Sequence, residues 1–315
     1  MRTIVLGAGA MGSLFGWRLK QGGYDVTLID TWKEHVEKIK REGLKVEQSD
    51  GTISTVEIPI TDDPKTLKGT YDLIIVFVKG YVTKEAVKSI LHLIGKETTV
   101  ITLQNGIGNA NNMESIVSPD QIAVGGTAYG GGIIEPGFVA HRAWGNTYIG
   151  PFGENVEFSK LQKIAEILTE CNIPTEAQHD VSSVIWSKLM INVAYNGLTS
   201  ISRLRNIDFT STPEGKDLIR GVVSEAVEVA NAQGIEIIYK DPVAECIRVG
   251  LEDIAQNKSS MVQDSDFNRK TEIDNINGAI VNLGSKYGIE TPYNKIVADL
   301  IKLIESRYDK VVTAI

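Results

Sequence analysis

Residues 3–12 read Thr-Ile-Val-Leu-Gly-Ala-Gly-Ala-Met-Gly. Residues 3–6, Thr-Ile-Val-Leu, have the composition of a buried strand. Gly7 permits a tight turn out of it, Gly9 leaves no side chain where a pyrophosphate would approach, and Gly12 lets the next helix pack closely on the sheet. That helix is predicted to open near Ala10 and run from Met11 to Gln21. Its first N–H groups have no helical partner and would point at phosphates. A second apolar run, residues 25–29, ends at Asp30, 23 residues after Gly7. A carboxylate there can accept hydrogen bonds from an adenosine ribose. Glycines alone cluster in ordinary loops, so the order strand, turn, helix, strand, acid is what carries the reading. It assigns Gly7, Ala8, Gly9, Ala10, Met11, Gly12 and Asp30 to a dinucleotide site.

Outward from this motif, strands and helices alternate. Residues 72–78 form a near-continuous apolar run, as in a central parallel strand buried on both faces, and Lys79 follows it. The next strand, residues 98–103, is followed by Gln104-Asn105-Gly106. Ligands of open α/β sheets bind outside the carboxyl ends of the strands, which places Lys79 and Asn105 among the candidates. Residues 122–129 and 138–149 are predicted as further strands around the glycine-rich turn 130–132. From about residue 180 helical periods dominate: 180–202, 213–233, 240–256, 265–287 and 292–311. The expectation is a Rossmann-type doubly wound α/β domain over 1–178 and an all-helical domain over 179–315.

Composition sets bounds on the rest. The chain has 315 residues, 42% hydrophobic and 23% charged, the values of a globular protein with room for a large core. A net charge of −8 argues against a nucleic-acid surface. Cys171 and Cys246 have no metal-ligand spacing, and no metal is expected. No apolar run reaches the roughly 18 residues of a membrane span. The glycine motif makes the N-terminal stretch a poor signal peptide, and a cytoplasmic protein is expected.

Within residues 184–196, Lys188, Asn192 and Asn196 are spaced i, i+4, i+8 and share one helix face. Leu189, Met190, Ile191 and Val193 wrap too far round for that face to be an ordinary solvent stripe. Three polar groups on a largely buried helix need a wet cleft or internal partners. Ser260, Asp264, Asn268 and Glu272 also recur every four residues. Taken alone, Glu272 beside Arg269 and Lys270 reads as a plain helix ion network.

Together these segments resemble the ketopantoate reductase (2-dehydropantoate 2-reductase) family over nearly the whole chain. The match rests on Gly7–Gly12, Val78-Lys79, Leu103-Gln104-Asn105-Gly106, and Pro136-Gly137 with His141. It rests most specifically on Trp186-x-Lys188-Leu-x-x-Asn192-x-x-x-Asn196 and on Ser260-Met261-x-Gln263-Asp264 with Thr271-Glu272-Ile273-Asp274. The resemblance implies NAD(P)H-dependent reduction of a 2-oxo acid to an (R)-2-hydroxy acid in a site between the two domains. In the pantothenate and coenzyme A route the product is pantoate. It implies Lys188 as the catalytic lysine and Glu272 as its acidic partner, also at the cofactor. Asn105, Asn192, Asn196, Asn206 and Ser260 match substrate positions, and Lys79 and Asn105 match the cofactor cleft.

An ammonium at Lys188 can stabilise and protonate the oxygen that hydride transfer leaves charged. Glu272 would favour the protonated lysine. One departure concerns the cofactor. Family members that use the phosphorylated nucleotide usually carry a basic residue after the second strand, whereas here Asp30-Thr31-Trp32 stands there. Asp30 leans toward NADH, the family pattern toward NADPH. The alternatives are an NAD-dependent (R)-2-hydroxyacid dehydrogenase acting on another branched or aromatic 2-oxo acid, and a non-catalytic dinucleotide sensor. The helix at 292–311, with apolar Ile296, Leu300, Leu303 and Ile304, packs on the core or on a second subunit, which makes a homodimer one expectation.

Overall fold

The computed structural model describes residues 1–308. The chain divides into two compact units, one of Met1–Gln104 with Asn109–Val181, the other of Asn105–Gly108 with the chain from Ser182 onward.

The first unit is α/β. Its strands are β1 (Arg2–Leu6), β2 (Asp25–Ile29), β3 (Leu44–Glu47), β4 (Ile53–Val56), β5 (Ile60–Thr61), β6 (Tyr71–Val76), β7 (Ile94–Thr102), β8 (Ile122–Thr127), β9 (Gly130–Glu135), β10 (Phe138–Ala143), β11 (Thr147–Pro151) and β12 (Thr175–Ala177). Its helices are α1 (Ala10–Gln21), α2 (Lys33–Glu42), α3 (Thr83–Ser89), α4 (Asn109–Glu114) and α5 (Phe158–Glu170). Eight strands form the main sheet in the order β12-β11-β8-β7-β6-β1-β2-β5, parallel except for β8 against β11. Alternation along the strands feeds two cores, one on each face. Val5, Leu73 and Ile75 join Phe15 and Trp17 of α1. Ile4, Leu6, Ile74 and Val76 join Val87 of α3 and Met113 of α4. The strand order reverses direction between β1 and β6, the topological switch point at which such sheets bind ligands.

A second sheet, β4-β3-β10-β9, departs from expectation. Gly130–Gly132 are strand residues rather than a turn, and the stretch 138–149 divides between the two sheets as β10 and β11. Both differences have a steric cause. A Cβ on Gly131 would lie 2.5 Å from Leu14 Cδ1, so the glycine lets β9 lie against α1. At the crossover, a Cβ on Gly145 would lie 2.5 Å from Ala128 Cβ, so only glycine fits where the chain changes sheet.

The second unit is helical: α6 (Ser182–Ser202), α7 (Asn206–Thr210), α8 (Pro213–Asn231), α9 (Pro242–Leu251), α10 (Ser260–Asp266), α11 (Asn277–Tyr287) and α12 (Pro292–Glu305). Helix α6 is its axis, packed against α8, α9, α10 and α12. Leu189, Met190, Val193 and Leu198 of α6 are buried with Ile219, Val222, Val223, Ala226 and Ile301. Each side chain of that size contributes about 1.5–3 kcal/mol when fully buried. The expected helix over 265–287 is broken. Asn268 turns left-handed (φ 51°), α10 ends at Asp266, and Glu272 lies in the connection before a short 3-10 turn, Ile273–Asn275. The four-residue repeat through Glu272 is therefore not a helix face. The expected extension of the last helix to 311 lies partly outside the described residues. Among the described residues no helix is long and apolar enough to cross a membrane, and no cluster of His, Cys, Asp and Glu is placed to hold a metal ion.

Candidate active site

The glycine turn of the first unit is built from close approaches. Gly7 has φ 96°, and a Cβ there would lie 2.6 Å from Val78 N. The turn is thus pressed against the end of β6, which brings Val78 and the following Lys79 to its side. A Cβ on Gly12 would sit 1.8 Å from Gly7 O, so no other residue lets α1 start this close to β1. A Cβ on Gly9 would meet nothing within 4 Å. Gly9 is therefore open-faced while its neighbours are crowded, and no side chain caps the N-terminus of α1. Three glycines, an open backbone face and an uncapped helix N-terminus fit a pyrophosphate.

The turn is locked from behind by polar groups. Asp30 Oδ2 accepts from Ala8 N at 2.7 Å, and Oδ1 accepts from Trp32 N at 2.8 Å. Ser13 Oγ donates to Ala8 O at 2.8 Å. His35, fully buried on α2, stacks against Trp32 with ring centroids 5.0 Å apart. Its Nδ1 accepts from Gly137 N at 2.9 Å, which leaves the ring proton on Nε2, 3.5 Å from Ser13 Oγ. Burial lowers the His35 pKa, favouring the neutral ring that this pattern requires. His35 thus ties the turn between β9 and β10 to the glycine turn. The sequence reading did not single it out, since nothing local marks a pairing 102 residues apart.

The second unit assembles the other candidates. Lys188 Nζ on α6 donates to Asn105 Oδ1 at 3.0 Å. Its surroundings push the ammonium pKa down to about 8, because desolvation outweighs the opposing pull of the Glu272 charge. Glu272 is itself buried. Asn105 reaches Lys188 because its loop is clamped. Ile107 N donates to Asn275 O at 3.0 Å, and Asn275 Nδ2 donates to Ile107 O at 3.2 Å. Gly106 has φ 79°, and a Cβ there would lie 2.2 Å from Asn275 O. Asn275 thus joins the Asn105 loop to the turn that carries Glu272. It was missed from sequence; the only signal was the Asn105-Gly106 pair, typical of turns that need a positive φ.

Helix α6 does carry Lys188, Asn192 and Asn196 on one face. Asn192 is half-buried. Asn196 is buried, and its Nδ2 has no hydrogen-bond acceptor among the described residues. A buried amide donor left unmade costs roughly 1–3 kcal/mol, a cost that an acceptor oxygen placed there would recover. Asn206 begins α7, where Nδ2 donates to Ile254 O at 3.0 Å while Oδ1 is buried without a donor. Ser260 is exposed at the first position of α10. Its neighbour Ser259 is the buried one, capping Val262 N and bonding Thr199 Oγ1 at 2.9 Å. Lys188, Asn105 and Glu272 therefore form one electrostatic group. Asn192, Asn206 and Ser260 make no direct hydrogen bond to it.

A doubly wound dinucleotide-type sheet joined in one chain to a helical unit with a buried lysine defines an oxidoreductase-like class of α/β protein. Comparison with known proteins narrows the class. Residues 3–154 match the family described as ketopantoate reductase PanE/ApbA, and residues 180–305 match its C-terminal counterpart. The chain belongs to the ketopantoate reductase family. It is 32% identical over 308 residues to the 2-dehydropantoate 2-reductase of Halobacterium salinarum, covering 97% of this chain and 99% of the other. It is 33% identical to the enzyme of that name from Pyrococcus abyssi, over 96% and 97%. Among solved structures, a D-mandelate dehydrogenase with NADH and anilino(oxo)acetate superposes with a TM-score of 0.93 at 32% identity, covering 98% of this chain and all of the other. A PanE/ApbA family ketopantoate reductase from Ralstonia eutropha superposes at 0.88 with 30% identity, again over 98% and 100%.

Proposed function

We propose that this chain reduces the ketone of a 2-oxo acid to an (R)-2-hydroxy acid, with ketopantoate as substrate and (R)-pantoate as product. In this reading residues 1–178 hold the dinucleotide and residues 179–315 carry substrate and catalytic groups. When bound, the nicotinamide supplies the hydride that adds to the ketone carbon. Gly7 to Gly12 would hold its pyrophosphate against the start of α1, with Lys79 beside the turn. Lys188 donates its proton to the carbonyl oxygen as negative charge develops there, and solvent reprotonates it. Asn105 holds the ammonium in place through Oδ1. Glu272 keeps it charged against desolvation and, as the family resemblance implies, would also meet the cofactor. Asn196, with its unmatched buried Nδ2, and Asn192, Asn206 and Ser260 receive the carboxylate and hydroxyl groups of the substrate.

The observation that carries this reading is the lysine with a pKa near 8, held by an amide and opposed by a buried carboxylate. Such a group is charged at neutral pH and still acidic enough to give up its proton. Asp30 supports NADH as the preferred cofactor. Its carboxylate is fixed by two backbone N–H groups at the end of β2, where a ribose 2′-hydroxyl could share it and a 2′-phosphate would be repelled.

A second reading, an NAD-dependent dehydrogenase of another branched or aromatic 2-oxo acid, is favoured by that same Asp30. It is also favoured by the likeness to the D-mandelate dehydrogenase bound to NADH. The deciding experiment follows nicotinamide absorbance with ketopantoate and a panel of branched and aromatic 2-oxo acids, each with NADH and NADPH. Highest kcat/KM on ketopantoate supports the first reading, and highest kcat/KM on an aromatic acid supports the second. Cofactor binding without turnover of any 2-oxo acid would leave a dinucleotide sensor.

A further inference from the structure

Three restraints meet on the ring of His35. On one side, Nδ1 accepts from Gly137 N at 2.9 Å. That N–H is not free to swing away. The Gly137 carbonyl accepts from Lys45 N at 2.9 Å, its φ is 76°, and a Cβ there would lie 2.6 Å from Lys38 Cγ. On the other side, Nε2 lies 3.5 Å from Ser13 Oγ, and the ring also hydrogen-bonds the Ala8 backbone. Ser13 Oγ donates to Ala8 O at 2.8 Å. Trp32 stacks on the face of the ring, and its own N–H is held by Asp30. The other oxygen of Asp30 takes Ala8 N. Both backbone polar groups of Ala8, in the middle of the glycine turn, are thus fixed by side chains that His35 touches or stacks beside.

The neutral ring satisfies this arrangement and the charged ring does not. A second proton goes on Nδ1, where it would face the Gly137 N–H, donor against donor. Because Gly137 is held from its other side, the ring must leave its place or the turn between β9 and β10 must move. Either change removes the support behind Ala8. Of the charged groups around the ring, Asp30 favours the protonated form, but burial outweighs it and keeps the pKa below the ordinary histidine value of about 6.5. Lys38 on α2, beside Gly137, is paired with Glu42 at 3.1 Å. Glu34 and Glu37 of α2 and Glu135 of β9 are exposed, and the first turn of α1 carries no acidic residue. We propose that His35 is a positioning residue of the dinucleotide site: its neutral ring braces Ala8 from behind, and a proton on Nδ1 unlocks the glycine turn and weakens its hold on the nucleotide. The inference rests on the reading of that turn as a dinucleotide site. Affinity is then full above the ordinary histidine range and is lost as pH falls below it.

The test is calorimetric titration of the full chain with ADP-ribose between about pH 5 and pH 8. That probe has no nicotinamide, so the proton that Lys188 gives in turnover plays no part. The wild-type Kd is expected to rise about tenfold on acidification across this range, as the fraction of chains with a closed turn falls. In His35→Asn the amide Oδ1 can still take the Gly137 N–H but does not titrate, so its Kd should change by less than about twofold over the same range. The ring nitrogens of His35, one of four histidines in the chain, should show the Nε2–H tautomer at neutral pH by nuclear magnetic resonance. Their protonation midpoint should coincide with the midpoint of the affinity loss. This comparison uses wild type alone and does not depend on how the variant folds. Overturning results are a wild-type affinity indifferent to pH, an equal pH dependence in His35→Asn, or a ring midpoint that differs from that of affinity. Failure to bind ADP-ribose at any pH would overturn the dinucleotide reading itself, and the inference with it.

Discussion

The glycine turn of the first unit and the lysine helix of the second solve different problems by opposite means. The turn is made of side chains that are absent. At Gly7 and Gly12 the backbone comes too close for a Cβ, and at Gly9 the backbone is left open. What remains is a set of backbone N–H groups, fixed from behind by Asp30 and Ser13. Around α6 the working parts are side chains, and backbone serves only to clamp them, as Asn275 does for the Asn105 loop. Backbone geometry tolerates no substitution but needs no electrostatic tuning. A desolvated lysine demands no such exact backbone fit but depends on every nearby charge. The contrast predicts distinct failures: loss of structure or cofactor affinity in the first region, loss of rate or a shifted pH profile in the second.

The largest effect is expected from Lys188→Ala. Loss of a proton donor should lower kcat by roughly 10²–10⁴-fold, while the cofactor dissociation constant, read by fluorescence titration, stays near wild type. An unchanged kcat would end the role given to Lys188. Gly12→Ala should act in the other way, because its Cβ would lie 1.8 Å from Gly7 O. The turn must open, so cofactor affinity should fall by at least about tenfold and the melting temperature should drop, as for other overpacked sites costing ~1–3 kcal/mol. A variant with wild-type melting and affinity would show that the close packing of α1 on β1 is dispensable.

A finer test addresses the electrostatics around α6. Reduction requires protonated Lys188, so its rate should fall as pH rises through about 8. The reverse oxidation needs the neutral amine and should rise through the same range. Because Glu272 raises the lysine pKa, Glu272→Gln should move both midpoints to lower pH; a midpoint that stays or rises would sever the pair. The smallest effect concerns Asp30. Asp30→Ser should narrow the ratio of kcat/KM for NADH over NADPH and loosen the turn by loss of the Ala8 and Trp32 bonds. A wild-type chain that prefers NADPH would contradict the reading of Asp30 directly.

The two regions also differed in how much of them could be read from sequence. The turn was legible because its parts are contiguous: strand, glycines and helix follow within residues 2–21, and Asp30 ends the next strand. Lys188, Asn192 and Asn196 were legible because one helix period places them on one face. The rest depends on partners distant along the chain. Parallel pairing of β10 with β3, Phe138 opposite Lys45, has no local marker, so the sequence predicts a turn at Gly130–Gly132, where β9 begins, and one strand over 138–149, where there are two. Likewise the repeat from Ser260 to Glu272 has a helical spacing, whereas α10 ends at Asp266, Asn268 turns left-handed, and Glu272 lies in the connection that follows. The clamp by Asn275 and the lock by His35 join residues more than a hundred positions apart, beyond the reach of any periodicity.

The loop Asn105–Gly108 has a consequence for how the chain comes to be made. It emerges from the ribosome with the strands of the first unit, yet the partner of Asn105 is 83 residues further on and that of Ile107 is later still. Until Asn275 has been translated, this loop lacks its clamp on Ile107. A chain cut to begin at Ser182 would therefore contain Lys188 and Glu272 but not the amide that holds the lysine in place. Any fragment that holds all three must run at least from Asn105 to Glu272.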